Sequence, residues 1–233
     1  MTGKELLQSH LLDHGIKLTD KQIQAFEIYR KMLIEWNQKM NLTSIIDEEG
    51  IYMKHFYDSL IPSFDMEFKG KLCDVGSGAG FPSIPLKIMN PDLDVTIIET
   101  LGKRVTFLHE LTSSLGLDVT ILHQRAEECL DQRESFDIVT ARAVANMPLL
   151  CELCIPLVKV GGRFIVMKGL SGKEELMQSQ KALRVLGCQV KNVAENHELD
   201  AVRINIECLK VKPTPKAYPR AFAKMKKNPL RGE

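Results

Sequence analysis

The chain has 233 residues, 44% apolar and 26% charged, with 31 basic against 30 acidic side chains and six cysteines. That composition excludes a disordered or collagen-like polypeptide and allows one sizeable core, while the balanced charge excludes strong whole-molecule attraction to nucleic acid. No apolar run reaches the roughly 20 residues of a spanning helix, and residues 1–12 lack the basic-then-apolar form of a secretory signal. A cytosolic protein with reduced, packed cysteines is therefore expected.

In chain order, apolar residues Leu6, Leu7 and Leu11, and then Ile23, Phe26, Tyr29, Leu33 and Trp36, recur at spacings of three and four. They predict helix over residues 2–40 with a break at Gly15. Thr19 with Gln22 forms a capping box that starts the second helix near Asp20. Shorter helical pieces follow over residues 41–64 and end near Pro62.

From Lys71 the rhythm changes to β-rich runs at residues 72–75, 95–98, 119–122, 136–141 and 163–167, with helical patterns between them. This alternation predicts a parallel sheet with helices on both faces. Gly161-Gly162 marks the turn into the fifth strand, and Gly187 closes the helix after it. Two last β-rich runs, 189–193 and 202–211, are joined only by a polar link and should pair antiparallel. The expectation is an α/β fold with a mostly parallel seven-stranded sheet. Residues 1–65 form a helical extension packed on the core, 66–211 the core, and 212–233 a basic tail. Five βα units closed by an antiparallel pair is the plan of the class I, Rossmann-like methyltransferases.

After the first strand comes Asp74-Val75-Gly76-Ser77-Gly78-Ala79-Gly80. Glycines at alternate positions (Gly76, Gly78, Gly80) let backbone and ligand approach closely, and a helix start follows. The dinucleotide fingerprint is G-x-G-x-x-G, whereas here the third glycine comes one position early and Phe81 stands in its place, which favours adenosylmethionine over NAD. Asp74 sits where it can reach a ligand at the strand's carboxyl edge. Glu99 ends the second strand, where a carboxylate can bind both ribose hydroxyls. Arg125-Ala126-Glu127 follows the third strand and could flank an adenine, and Arg142 follows the fourth at the mouth of the same cleft.

Cys151-x-x-Cys154 lies at helical spacing among Leu149, Leu150, Leu153 and Ile155 and reads as core packing, and the histidines form no metal-ligand spacing. From Lys210 to Gly232 there is no acidic residue but eight basic ones, interleaved with Tyr218 and Phe222. This tail is a candidate RNA-contacting surface.

The chain resembles the bacterial small-subunit rRNA guanine-N7 methyltransferases, the RsmG family, formerly glucose-inhibited division protein B. The resemblance runs nearly end to end. It includes Trp36-Asn37 with Asn41-Leu42-Thr43, His55-Phe56 with Asp58-Ser59-Leu60, and the glycine loop through Phe81-Pro82. Further on it includes Leu101-Gly102-Lys103-Arg104, Ala141-Arg142-Ala143, Met167-Lys168-Gly169 and Tyr218-Pro219-Arg220. Ser83 stands where the family often has glycine, and residues 221–227 depart from the family's glycine- and proline-containing run.

The resemblance implies that Gly76, Phe81, Ala126, Glu127 and Arg142 line an S-adenosylmethionine site with Glu99 on the ribose, and that the acceptor is N7 of a guanine in 16S rRNA. Guanine N7 has no proton to lose, so no general base is expected; alignment does the work, with Arg142 as a contributor. Lys168, Arg220, Lys224, Lys226 and Lys227 are the expected RNA contacts. The expected partner is 16S rRNA or an assembling small-subunit particle, met by a monomer without metal or membrane. Other readings are a small-molecule or protein methyltransferase, an adenosylmethionine sensor, and a nucleotide-dependent oxidoreductase.

Overall fold

A computed structural model describes residues 1–232. Helices α1 (Gly3–Asp13) and α2 (Asp20–Met40) are each opened by a capping box, Thr2 with Glu5 and Thr19 with Gln22. The second is the one expected at Asp20. Asn41 ends α2 in the left-handed conformation, with φ 48°. A continuous helical run follows: α3 (Glu48–Gly50), a π-helical segment Ile51–Tyr57, α4 (Asp58–Leu60) and α5 (Pro62–Asp65). Pro62 therefore does not close this run. It occupies the first turn of α5, where its missing N–H costs nothing.

The core alternates β1 (Lys71–Val75), α6 (Ser83–Met89), β2 (Asp94–Glu99), α7 (Gly102–Leu115), β3 (Val119–His123), β4 (Phe136–Arg142), α8 (Met147–Cys154) and β5 (Val158–Lys168). Then come α9 (Gly172–Gln178), α10 (Gln180–Leu186), β6 (Cys188–Asn196), β7 (Arg203–Lys210) and α11 (Phe222–Lys227). The seven strands form one sheet ordered β3-β2-β1-β4-β5-β7-β6. Strands β1 to β5 pair parallel, and β7 runs antiparallel to both β5 and β6.

Strand residues alternate between two cores, as the pleat requires. Leu72, Val95, Ile97, Ile138 and Ile165 join α1, α2, α6 and α7 on one face, whereas Cys73, Val75, Ile98, Val139 and Val166 join α8, α10 and α11 on the other. Burial on both faces is why these strands read as nearly continuous apolar runs. All six cysteines are free and buried. Among the described residues no helix is long and apolar enough to cross a membrane.

One sequence expectation is corrected. Gly161 and Gly162 lie inside β5: the pairing steps from Phe136↔Val158 to Ile138↔Arg163, leaving one β4 residue opposite four on β5. The extra residues fold so tightly against β4 that a Cβ at Gly162 would stand 2.8 Å from the Asp137 carbonyl oxygen. The glycines thus make a bulge instead of an entry turn.

The basic segment from Lys210 onward packs on the core, a placement that its charge pattern did not reveal. Lys210 is fully buried, its Nζ donating to the Ile155 and Val158 carbonyls at 2.9 and 3.0 Å. Thr214 N donates to Glu134 Oε1 at 2.8 Å, Arg133 donates to the carbonyl of Tyr218 at 2.6 Å, and Met225 is wholly buried. The segment is a strap across α8, and only part of its charge faces solvent.

Candidate active site

The carboxyl ends of the parallel strands carry the site, where open α/β sheets bind ligands. Gly76 N donates to the Ile98 carbonyl at 2.8 Å, so the glycine loop starts pinned to β2. The loop glycines then divide by role. At Gly80 (φ 99°) a Cβ would lie 2.7 Å from Tyr29 Oη and 2.8 Å from Ile84, so this glycine serves packing. At Gly78 (φ 62°) a Cβ would meet nothing within 4 Å, so this glycine faces open space on the ligand side.

Glu99, only 2% exposed, ties the loop to the end of β2. Its Oε1 accepts from Thr100 N and Leu101 N at 2.8 and 3.0 Å, and its Oε2 accepts from Gly78 N at 3.1 Å. Ala126 opens the short turn Ala126–Glu128 after β3 and packs in the same core as Val75 and Ile98. Glu127 stands 3.7 Å from Arg125, whose guanidinium lies over the Phe222 ring at 5.6 Å.

Asp74 does not reach outward as expected from its place beside the glycines. It is fully buried, and its Oδ2 accepts from Ser83 N at 3.2 Å, fixing the loop's exit into α6. Burial pushes its carboxyl up to about 7. Phe81 is also interior: it stacks on His55 with centroids 4.5 Å apart and on Tyr29 at 5.4 Å, and Arg142 lies over its face at 5.0 Å. Tyr29 donates to the Ala79 carbonyl at 2.5 Å, so α2 clamps the glycine loop from above.

These features fit S-adenosylmethionine. Gly78 leaves the ligand side open, Glu99 offers a carboxylate beside it, and the buried Ser77 hydroxyl has no partner among the described residues. Gly76, Gly78, Glu99 and Ala126 are the groups that would hold it.

Beside this edge lies a cavity of about 280 Å³, lined by Lys54, His55, Asp58, Arg142, Met167 and Arg203, with Lys168 at its wall. Asp58 is its hub. Its Oδ2 accepts from Arg142 Nη1 at 2.7 Å and its Oδ1 from Arg203 Nε at 2.5 Å. Arg142 Nη2 also donates to His55 Nδ1 at 3.1 Å. A guanidinium only donates, so Nδ1 is the acceptor and the His55 Nε2–H donates to Thr43 Oγ1 at 2.7 Å. Burial, helped by Arg142, pushes the imidazole down to about 4, so it is neutral at neutral pH.

Local sequence builds this cavity in steps. Asn41 stops α2, Asn37 Oδ1 takes Thr43 N at 2.8 Å, and Thr43 then orients His55. Through residues 51–60 every residue but Lys54 is buried, which brings His55 and Asp58 inward together. Neither was named as a site residue from sequence, although an acid and a histidine three apart in an apolar helical run are a usable signal. Arg203 gave no local signal, because its partner is 145 positions away.

The expected RNA contacts separate. Lys168 is drawn inward to the Ala145 carbonyl at 2.6 Å and to Glu175 at 2.8 Å, where it braces the loop after β4. Arg220 is a strut: its guanidinium grips Glu152 with contacts of 2.7 and 2.6 Å. Lys224, Lys226 and Lys227 are exposed on α11.

A family model described as rRNA small subunit methyltransferase G matches residues 22–204. A Staphylococcus carnosus protein named "Ribosomal RNA small subunit methyltransferase G" is 52% identical over 238 aligned positions, covering 98% of this chain and 99% of that protein. Its namesake from Staphylococcus aureus strain Newman is 50% identical over 236 positions, covering 97% and 98%. Among solved structures, M. jannaschii TYW2 in complex with AdoMet superposes with TM-score 0.56 at 14% identity, covering 72% of this chain and 80% of that one. A Thermotoga maritima SAM-dependent O-methyltransferase gives 0.52 at 19%, covering 79% and 73%. Likeness at that identity concerns the fold.

Proposed function

Because this chain belongs to the rRNA small subunit methyltransferase G family, we propose that it transfers a methyl group from S-adenosylmethionine to N7 of a guanine in 16S rRNA. The observation that carries the N7 acceptor is the chemistry of the cavity beside Phe81. Cationic donors outnumber acceptors there, and no base is free: Asp58 is held by two arginines and both His55 nitrogens are engaged. Such a pocket suits an aromatic nitrogen that carries no proton. It also suits guanine over adenine, because guanine flanks N7 with the O6 acceptor where adenine places an amino donor.

When bound, S-adenosylmethionine supplies an electrophilic methyl group on a sulfonium. The open side of the loop at Gly78 and the Glu99 carboxylate would hold the cofactor side, and Arg142, braced on Asp58 and Phe81, would orient the acceptor side. Catalysis then rests on alignment of two reactants. The guanine must be presented unstacked, as in a single-stranded loop.

In this reading residues 1–65 are the clamp on the glycine loop, 66–211 the catalytic core and 212–233 the strap that offers Lys224, Lys226 and Lys227 to phosphate. Lys168 and Arg220 shape the RNA-facing surface from within. The protein acts in the cytoplasm as a monomer, on 16S rRNA or an assembling small-subunit particle. Incubation with labelled S-adenosylmethionine and separated ribosomal RNAs, followed by nucleoside analysis, tests this. Label in 7-methylguanosine of the small-subunit RNA is expected, and label in another RNA or on an exocyclic amine would overturn it.

A further inference from the structure

Arg203 is the first residue of β7, which runs antiparallel, so its side chain enters the cavity from the sheet side opposite the helical run that carries His55 and Asp58. Two of its donors are committed: Nε to Asp58 Oδ1 at 2.5 Å and Nη1 to the Ala201 carbonyl at 3.1 Å. Nη2 has no partner among the described residues, and the side chain keeps 21% of its surface exposed. Arg142 and Lys168 are tied more closely, and Lys54 points to solvent with Asp200 at 3.4 Å. Arg142 spends both terminal nitrogens on Asp58 and His55, and Lys168 is tied to Ala145 and Glu175. Arg203 is therefore fixed in direction by a buried acid while its whole Nη2 group stays uncommitted at the cavity.

We propose that Arg203 is a specificity-determining residue: its Nη2 donates to the 6-keto oxygen of the purine held in this cavity, and thereby selects guanine. The proposal rests on the guanine-N7 reading above and deepens it. A purine whose N7 faces the cofactor side presents the substituent at position 6 beside it. A carbonyl there accepts from Arg203, whereas an amino group would turn its hydrogens toward a guanidinium that can only donate. Asp58 is the positioning residue, since it sets the guanidinium's angle without reaching the base. A flexible ammonium could supply charge at this place but not the braced, planar fork.

The test crosses the protein change with a change in the base. The acceptor is 16S rRNA assembled by ligation, with either guanine or 2-aminopurine at the position methylated by the unmodified enzyme. 2-Aminopurine keeps N7 and lacks O6. Single-turnover rate and RNA affinity are measured for the unmodified protein, Arg203→Met and Arg203→Lys, with S-adenosylmethionine affinity as the check on folding.

On guanine RNA, Arg203→Met should lower the rate or affinity by roughly 10- to 100-fold, the scale of a good base-edge contact. On 2-aminopurine RNA the unmodified protein should already show that loss, and the substitution should add nothing. An equal loss on both RNAs means a phosphate contact or a purely structural role and overturns the proposal. If Arg203→Met does not fold, Arg203→Lys decides by the same comparison: a loss confined to guanine RNA supports the proposal, and equal behaviour on both RNAs sinks it. Should the unmodified enzyme yield no 7-methylguanosine, the underlying reading fails first, and nucleoside analysis of the guanine arm separates that outcome.

Discussion

The two halves of the site are built from different materials. The cofactor edge consists mainly of backbone: one contiguous loop, pinned by Gly76 N to Ile98 and by Gly78 N to Glu99, at strand ends whose places follow from the sheet register. The neighbouring cavity consists of side chains from four distant segments (Thr43, His55 with Asp58, Arg142 and Arg203) joined by ion pairs and hydrogen bonds. A backbone site responds chiefly to what blocks it. A side-chain network responds to the loss of any member, because each holds another's charge or tautomer.

The largest effect expected is at Gly78. Gly78→Val places a branched side chain on the open ligand side of the loop at φ 62°, so calorimetry should detect no S-adenosylmethionine binding, while the fold loses only about 2 kcal/mol. Near-normal affinity in the folded variant would remove the backbone half of the contrast.

Asp58→Ala attacks the network. It leaves two guanidinium groups facing each other with no counter-charge, and urea unfolding should show a loss of about 3 kcal/mol, at the low end for an unpaired buried charge because both arginines keep some solvent contact. Cofactor affinity should persist in the fraction that stays folded. If stability is unchanged, the cavity is not held together by its charges.

His55 gives a smaller, pH-dependent signature. Its folded pKa is about 4 against an ordinary 6.5, so between those values the unfolded chain binds more protons and folding weakens as pH falls. The destabilisation measured for His55→Asn should therefore be about 2 kcal/mol smaller at about pH 5 than at about pH 7.5. Asp74, held up at about 7 by burial, acts in the opposite sense in both proteins and cancels from this difference. A penalty independent of pH would mean that the imidazole is not held neutral by burial.

The smallest effect lies outside both halves. Neutralising Lys224, Lys226 and Lys227 together should flatten the salt dependence of RNA binding by roughly 2–3 units of slope. Cofactor affinity should not move. An unaltered slope would assign these exposed lysines to solvation alone.

Much of the cofactor half was legible in the sequence. The glycine spacing, the acid at the end of β2 and the helix stop at Gly187 are local patterns, and the fold places them where their spacing put them. The hold of Asp74 on the start of α6 was not legible, because an acid beside a glycine loop looks the same in sequence whether it turns outward or caps the next helix from below. How the basic segment packs was not legible, because charge shows in composition, whereas the burial of Lys210 and the capture of Arg220 by Glu152 depend on distant partners.

By itself, the sequence determined the alternation of strands and helices, the antiparallel close of the sheet and the place of the glycine loop, because periodicity, capping and glycine conformations are settled within a few residues of each other. Only the tertiary structure decided the second half of the site. Asp58 and Arg203 become partners because the antiparallel β7 returns its first residue to the edge where the parallel strands end, and because the helical run from the π-helical segment into α4 brings His55 and Asp58 to that edge from the other side.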